Sequence, residues 1–150
     1  MIVSRPWLKS PDYGYYVAKV AHENATRANA PRPVVLRATQ FHEFADQMLT
    51  WNRDGDTARI IDVPTQPVVS GEVVRLLLDL ATAESAGDTD LAGPKVENLV
   101  DQVRRLVEHS GEAITVEAVP APASMASGAM LPDANALIRG PEWGQWLDER

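Results

Sequence analysis

The run PVVLR at residues 33–37 constrains the fold more than any other segment of this chain. It is short, β-branched and apolar at successive rather than alternate positions. As a strand it must be covered on both faces, the situation of a parallel sheet with helices above and below. Helical patterns flank it. Residues 15–29 put Tyr16, Val20, Ala21 and Ala25 on an apolar side until Pro31 and Pro33 stop the helix. Downstream, ATQFHEFADQMLTW spaces Phe41, Phe44, Met48 and Trp51 by three, four and three, an amphipathic stripe. Such a stripe can line a substrate pocket; at helical spacing it more often faces a core.

The alternation continues to the C-terminus. ARIIDV, residues 58–63, is a second short strand ending at Pro64. Ser70 is the predicted N-cap of a helix with Glu72 in its first turn and Val73, Val74, Leu77, Leu80 and Ala81 along it, running to about Glu84. SAGDTDLAGP is expected to be a polar loop. Val96, Leu99, Val100, Val103, Leu106 and Val107 predict a further helix, closed by Gly111 at the position after its last turn. ITVEAVP alternates as a half-buried strand, APASMASGAM is small-residue and pliable, and a short tail ends in EWGQWLDER. At the other end, Met1–Ser4 is a β-prone scrap followed by a loop carrying Pro6, Pro11 and Gly14. There is no internal repeat and no boundary stronger than a loop. The expectation is one α/β domain over residues 1–150, long enough to bury roughly 70% of the surface of its unfolded chain.

Composition excludes several kinds of function. With no cysteine there is no disulfide, thiolate nucleophile or Cys-type metal site. A formal net charge of −7, with the basic residues dispersed, leaves no footprint for a nucleic-acid backbone or an anionic membrane. No segment approaches the roughly 20 apolar residues of a membrane span, and the N-terminus lacks the apolar core of a signal peptide, so a cytoplasmic protein is expected. His22-Glu23 and His42-Glu43 begin like a zinc helix, but neither has a second histidine four residues on, and no metal site is expected. Neither G-x-G-x-x-G nor G-x-x-x-x-G-K-[ST] occurs, so no glycine loop brings backbone amides to a pyrophosphate.

Tyr15 and Lys19 stand four apart on the first helix, on one face and about one turn from each other. An ammonium so placed favours a phenolate, which suits a tyrosine that exchanges a proton with a carbonyl or alcohol. Taken alone, the pair reads more readily as a packed tyrosine and a solvated lysine, the commoner use of such residues. Arg37 and Gln40 follow a strand's carboxyl end, where α/β ligand sites form; pairing of Arg37 with an acidic neighbour is an equal reading.

Several features in order give the pair a context: Ser4 at the end of the first strand, YYVAK at 15–19, Glu23, the strand at 33–37, then Arg37-Ala38-Thr39-Gln40-Phe41, QPVV at 66–69, LAGPKVENLVDQVRRL and a closing W-x-x-W-L. This series resembles the atypical short-chain dehydrogenase/reductases, the NmrA-like NAD(P)-binding group, over nearly the whole chain. The resemblance implies a partial Rossmann-like fold: the C-terminal strands and helices of a doubly wound parallel sheet, without the glycine-rich nucleotide-binding half. It implies Tyr15 as proton donor, Lys19 as the group that acts on it and holds the nicotinamide ribose, and Ser4 as the group orienting the carbonyl. Arg37, Gln40 and Phe41 are implied near the NAD(P)H nicotinamide, and the substrate would be a small carbonyl or quinone-like molecule. One departure is Gly71-Glu72, where the group has two acidic residues. The chain is thus expected to be a truncated NAD(P)H-dependent oxidoreductase, or alternatively a non-catalytic regulatory or protein-binding module built on that fold. A sheet missing neighbours exposes an apolar edge, so self-association or a covering partner is expected.

Overall fold

A computed structural model describes residues 2–4, 14–84 and 86–150; the side chains of residues 2–4 and 16 lie outside the description. The chain is α/β with a parallel sheet. Strands β1 (Ile2–Ser4), β2 (Leu36–Ala38), β6 (Thr89–Ala92) and β9 (Leu137–Ile138) lie side by side in that order, all parallel. In register, Leu36 stands between Ile2 and Thr89, and Ala38 between Ser4 and Leu91.

The two faces of β2 are used differently because side chains alternate along a strand. Leu36, Ala38 and Leu91 pack with Val68 against Val73 and Leu76 of helix α3 (Ser70–Thr82), with Leu77 and Leu80 at the margin. Arg37 points the other way, to Glu23 of helix α1 (Gly14–Asn29). Helices therefore cover both faces, as the successive apolar residues of PVVLR require.

Two smaller sheets, of three and two strands, accompany it among the described residues. Strands β3 (Arg53–Asp54) and β4 (Thr57–Ile61) form a hairpin through Gly55, whose φ of 59° is the left-handed conformation that favours glycine. Strand β4 then pairs in parallel with β8 (Thr115–Val119), while β5 (Pro64–Thr65) pairs with β7 (Glu97–Asn98). Helices α2 (Phe44–Asn52), α4 (Leu99–Ser110) and α5 (Trp143–Asp148) pack here, around Ala45, Ile60, Leu99, Val103 and Trp143. Trp143 is 1% exposed, and its indole N–H donates to the carbonyl of His42 at 3.0 Å. Asn98 caps α4 by accepting from the amides of Val100 and Asp101, and Gly111 closes it at φ 69°.

Several local expectations are corrected. The strand expected at 33–37 occupies Leu36–Ala38, because its ladder to β6 begins only where Val35 accepts from Thr89, beyond the prolines. SAGDTDLAGP is not all loop: Thr89–Ala92 is an inner strand of the sheet. Its polar character misled because Asp90 is accommodated by Arg37 across the register. Ser70 is the first helical residue rather than the cap, with Val69 at the cap position, and its hydroxyl donates to Glu43 at 3.2 Å. Helix α3 stops at Thr82 rather than Glu84. Phe41 lies before α2, bridged to Val68, and so is not part of the helix whose spacing it fits. Helix α4 starts three residues after Val96, which is exposed.

Strand β6 runs directly into Gly93, where the chain crosses the segment 66–68. Gln66 donates from its side-chain amide to the Gly93 carbonyl at 2.8 Å, and a Cβ at Gly93 would collide with the carbonyl oxygen of Pro67. Gly93→Ala is therefore expected to cost about 2 kcal/mol or more. Urea denaturation measures this, and an unchanged midpoint would rule out the tight crossing.

Candidate active site

A cleft of about 630 Å³ opens at the carboxyl end of β2. One wall is Tyr15 and Lys19 from α1, and the floor is Ala38, Thr39, Gln40 and Phe41, the residues that end β2 and lead toward α2. The far wall is largely apolar, with Phe44, Met48 and Trp51 from α2, Ile61 from β4, Met125 from a helical turn at 125–129 and Met130 just after it, and with Gln47 and Asn52 of α2 as its polar members. The stripe on α2 thus lines a cavity. Trp51 stands 68% exposed at its mouth, an exposure that a core position would not tolerate.

The loop that forms the floor is fixed by pairing on both sides. Thr39 donates its amide to Leu91 of β6 at 3.0 Å and its hydroxyl to the Gln66 carbonyl at 2.6 Å. Val68 donates to Gln40, and His42 to Val68, so the segment 66–68 runs alongside 39–42. The Gln40 side chain is spent inside the protein, donating to the Met130 carbonyl and accepting from the Gln66 amide. Across the cleft, the Lys19 ammonium lies over the Tyr15 ring, 5.2 Å from its centroid, a cation–π contact made possible by their spacing of four.

Of the residues singled out from sequence, Tyr15, Lys19, Gln40 and Phe41 come together in this cleft. The backbone of Ser4 pairs with Ala38 beside it, and the Ser4 side chain lies outside the description. Arg37 does not line the cleft. Of the two readings open for it, pairing with acidic neighbours is the one realised: two of its N–H groups donate to Glu23, and it also reaches Asp88 at 3.3 Å and Asp90 at 3.5 Å. Arg27 joins from α1, bonding Glu23 at 2.7 Å and also Asp88. Residues that sequence reasoning passed over are Ile61, Gln66, Met125 and Met130. They are brought in from distant segments, and only the QPVV match pointed to one of them.

The electrostatics follow from burial and pairing. Burial pushes the Glu23 carboxyl upward, but hydrogen bonds from Arg37 and Arg27 outweigh it and hold the carboxyl below its usual range. Asp88 is lowered by the same balance, with Arg27 and the Val35 amide as its donors. His42, beneath the floor, is fully buried. Its Nε2 sits 3.2 Å from the Pro67 carbonyl, which can only accept, so Nε2 carries the proton. Nδ1 is then a buried lone pair with no hydrogen-bond partner among the described residues. Burial depresses the pKa of this histidine, and the Pro67 contact only partly opposes it.

The fold and the position of the cleft define a class: a Rossmann-like α/β architecture with a ligand-sized cavity at the carboxyl ends of its parallel strands. Among the solved structures that share the fold are two longer chains. One is a dTDP-4-dehydrorhamnose reductase, the RfbD ortholog of Clostridium acetobutylicum, at TM-score 0.56 and 16% identity over 71% of this chain and 40% of that one. The other is RMD from Pseudomonas aeruginosa complexed with NADPH, at TM-score 0.50 and 13% identity over 90% of this chain and 48% of that one. The chain spans less than half the length of either. At these identities the likeness is one of fold. No family profile and no curated protein matches the sequence. Among the described residues, no helix is long and apolar enough to cross a membrane, and no cluster of side chains could hold a metal ion.

Two declines of stability with acid follow from the buried groups. His42 is lowered from about 6.5, so below that pH the unfolded chain binds a proton that the folded one resists, and stability falls as pH drops. Glu23 and Asp88 are lowered from about 4, so the stability they contribute above that value is lost as pH falls through it. Urea midpoints between about pH 8 and 3 are expected to show both steps. His42→Gln should flatten the first and Glu23→Gln the second, and a first step that survives in His42→Gln would refute the assignment.

Proposed function

We propose that this chain is the substrate-side portion of an NAD(P)H-dependent oxidoreductase of the short-chain dehydrogenase/reductase type, nearest in motif to the NmrA-like group. The observation that carries this reading is the convergence of Tyr15 and Lys19 with the loop Thr39–Phe41 on one cleft at the carboxyl end of β2. The residues fit one end of the cofactor and not the other. Lys19 and Phe41 would hold the nicotinamide ribose and ring, against an apolar wall suited to a flat heterocycle. No glycine loop in these 150 residues fits a pyrophosphate, so that contact must come from a nucleotide-binding half outside them.

When bound, NAD(P)H supplies the hydride. The chain's own part is to bind and orient the carbonyl and to deliver a proton to its oxygen from the Tyr15 hydroxyl. Lys19, above the Tyr15 ring, favours the negative charge left on the phenolic oxygen. Arg37 serves this site indirectly, by tying α1 to the sheet through Glu23. A second reading, a non-catalytic binding module, would use the apolar cleft with its exposed Trp51 as the binding surface.

In the complete enzyme, Tyr15→Phe is expected to lower kcat by about 10²-fold or more with little change in KM, since the ring and its contact with Lys19 remain. An unchanged rate would leave the binding-module reading. For the 150-residue chain alone, calorimetry with NADPH is expected to show no binding; micromolar affinity would overturn the division of labour proposed here.

A further inference from the structure

We infer that the substrate held in this cleft is an uncharged, phosphate-free ketone of aromatic or alicyclic type, not a nucleotide-linked sugar of the kind named for the dTDP-4-dehydrorhamnose reductase that shares the fold. This rests on the reductase reading above and narrows it.

The argument is one of charge and of committed hydrogen-bonding groups. A diphosphate-linked substrate brings at least two negative charges, which must be met by cations or by free N–H donors when water is displaced. Among the described residues lining the cleft, Lys19 is the one charged side chain, and the proposed mechanism already uses it. Among the described residues, Arg27 and Arg37 beside α1 and β2 are both occupied by Glu23 and Asp88. Three polar side chains of the lining are turned inward, while Gln47 of α2 is exposed. Thr39 donates to Gln66, Gln40 is held between Met130 and Gln66, and Asn52 donates to the Met48 carbonyl at 2.8 Å. A sugar ring would find few partners for its hydroxyls.

What the cleft offers instead is soft, flat, apolar surface. Phe44, Met48, Met125 and Met130 line its depth, and Trp51 stands at the mouth with most of its ring in water. An exposed tryptophan beside an apolar cavity is an unsatisfied surface that a planar ligand covers. Thioethers adapt to ligand shape and contact ring edges favourably. The volume of about 630 Å³ lies in the range of small-molecule sites. The carbonyl would lie toward Tyr15, with the apolar body against α2.

Prodan, an uncharged naphthyl ketone whose emission moves to the blue when it leaves water, tests this on the 150-residue chain without requiring turnover. Saturable binding is expected, with energy transfer from tryptophan that falls in Trp51→Phe, Trp143 and Trp146 beneath the floor remaining as donors. Excess acetophenone should displace it, and thymidine diphosphate should not at equal concentration. Trp51→Glu, at a position exposed enough to leave folding intact, is expected to weaken the probe by about tenfold. Displacement by thymidine diphosphate, or prodan binding indifferent to Trp51→Glu, overturns the assignment. The reductase reading fails separately. If prodan binds as described while Tyr15→Phe leaves reduction by the complete enzyme unchanged, the ligand class stands and the proposed chemistry does not.

Discussion

Arg37 places a guanidinium in the middle of an inner strand, and the arrangement of the sheet depends on how that charge is met. Its strand neighbours Leu36 and Ala38 face α3, so the alternation of the strand sends Arg37 to the opposite side. There it is met by Glu23 from α1 and by Asp88 and Asp90 at the start of β6. Three carboxylates and two guanidiniums, with Arg27, form one partly buried cluster. Removing Glu23 would leave the largely buried Arg37 guanidinium without its nearest carboxylate, a destabilising change. The cluster ties helix, strand and neighbouring strand together by groups that cannot be exchanged singly.

The cleft follows from that arrangement. Tyr15, Lys19, Glu23 and Arg27 recur every four residues on α1, so the helix that is pinned by Glu23 presents Lys19 and Tyr15 along the same side about one and two turns earlier. Arg37 is followed at once by Ala38 and the loop Thr39–Phe41, which forms the floor. The two sides of the site are therefore positioned by the ion cluster, although no member of the cluster lines it. The three-stranded sheet, with α2 and α4, then supplies the apolar wall.

Much of this was legible in the chain. The parallel sheet follows from PVVLR, the helix boundaries near Asn29 and Gly111 from proline and glycine, and the Tyr15–Lys19 pair from spacing alone. Other features were not, and each for a physical reason. β6 was concealed because a strand with Thr89 and Asp90 reads as loop unless the partner that neutralises Asp90 is known. Phe41 fits the helical period of Phe44, Met48 and Trp51, yet its backbone is claimed by pairing with Val68. Ser70 has the chemistry of a cap, but its hydroxyl is drawn to Glu43. In every case a partner remote in sequence overrode a local preference.

The sequence by itself determined the α/β class, the run of elements around residues 15–37 and the kinds of side chain available for chemistry, because periodicity, proline and glycine act within a few residues. Only the tertiary structure decided that Arg37 is tied to carboxylates, and that the stripe on α2 lines a cleft while its Phe44 and Met48 also pack on the core. It also brought Met125 and Met130 to the same wall. Those outcomes depend on which long-range neighbour meets each charge and each apolar face, and local sequence does not encode that choice.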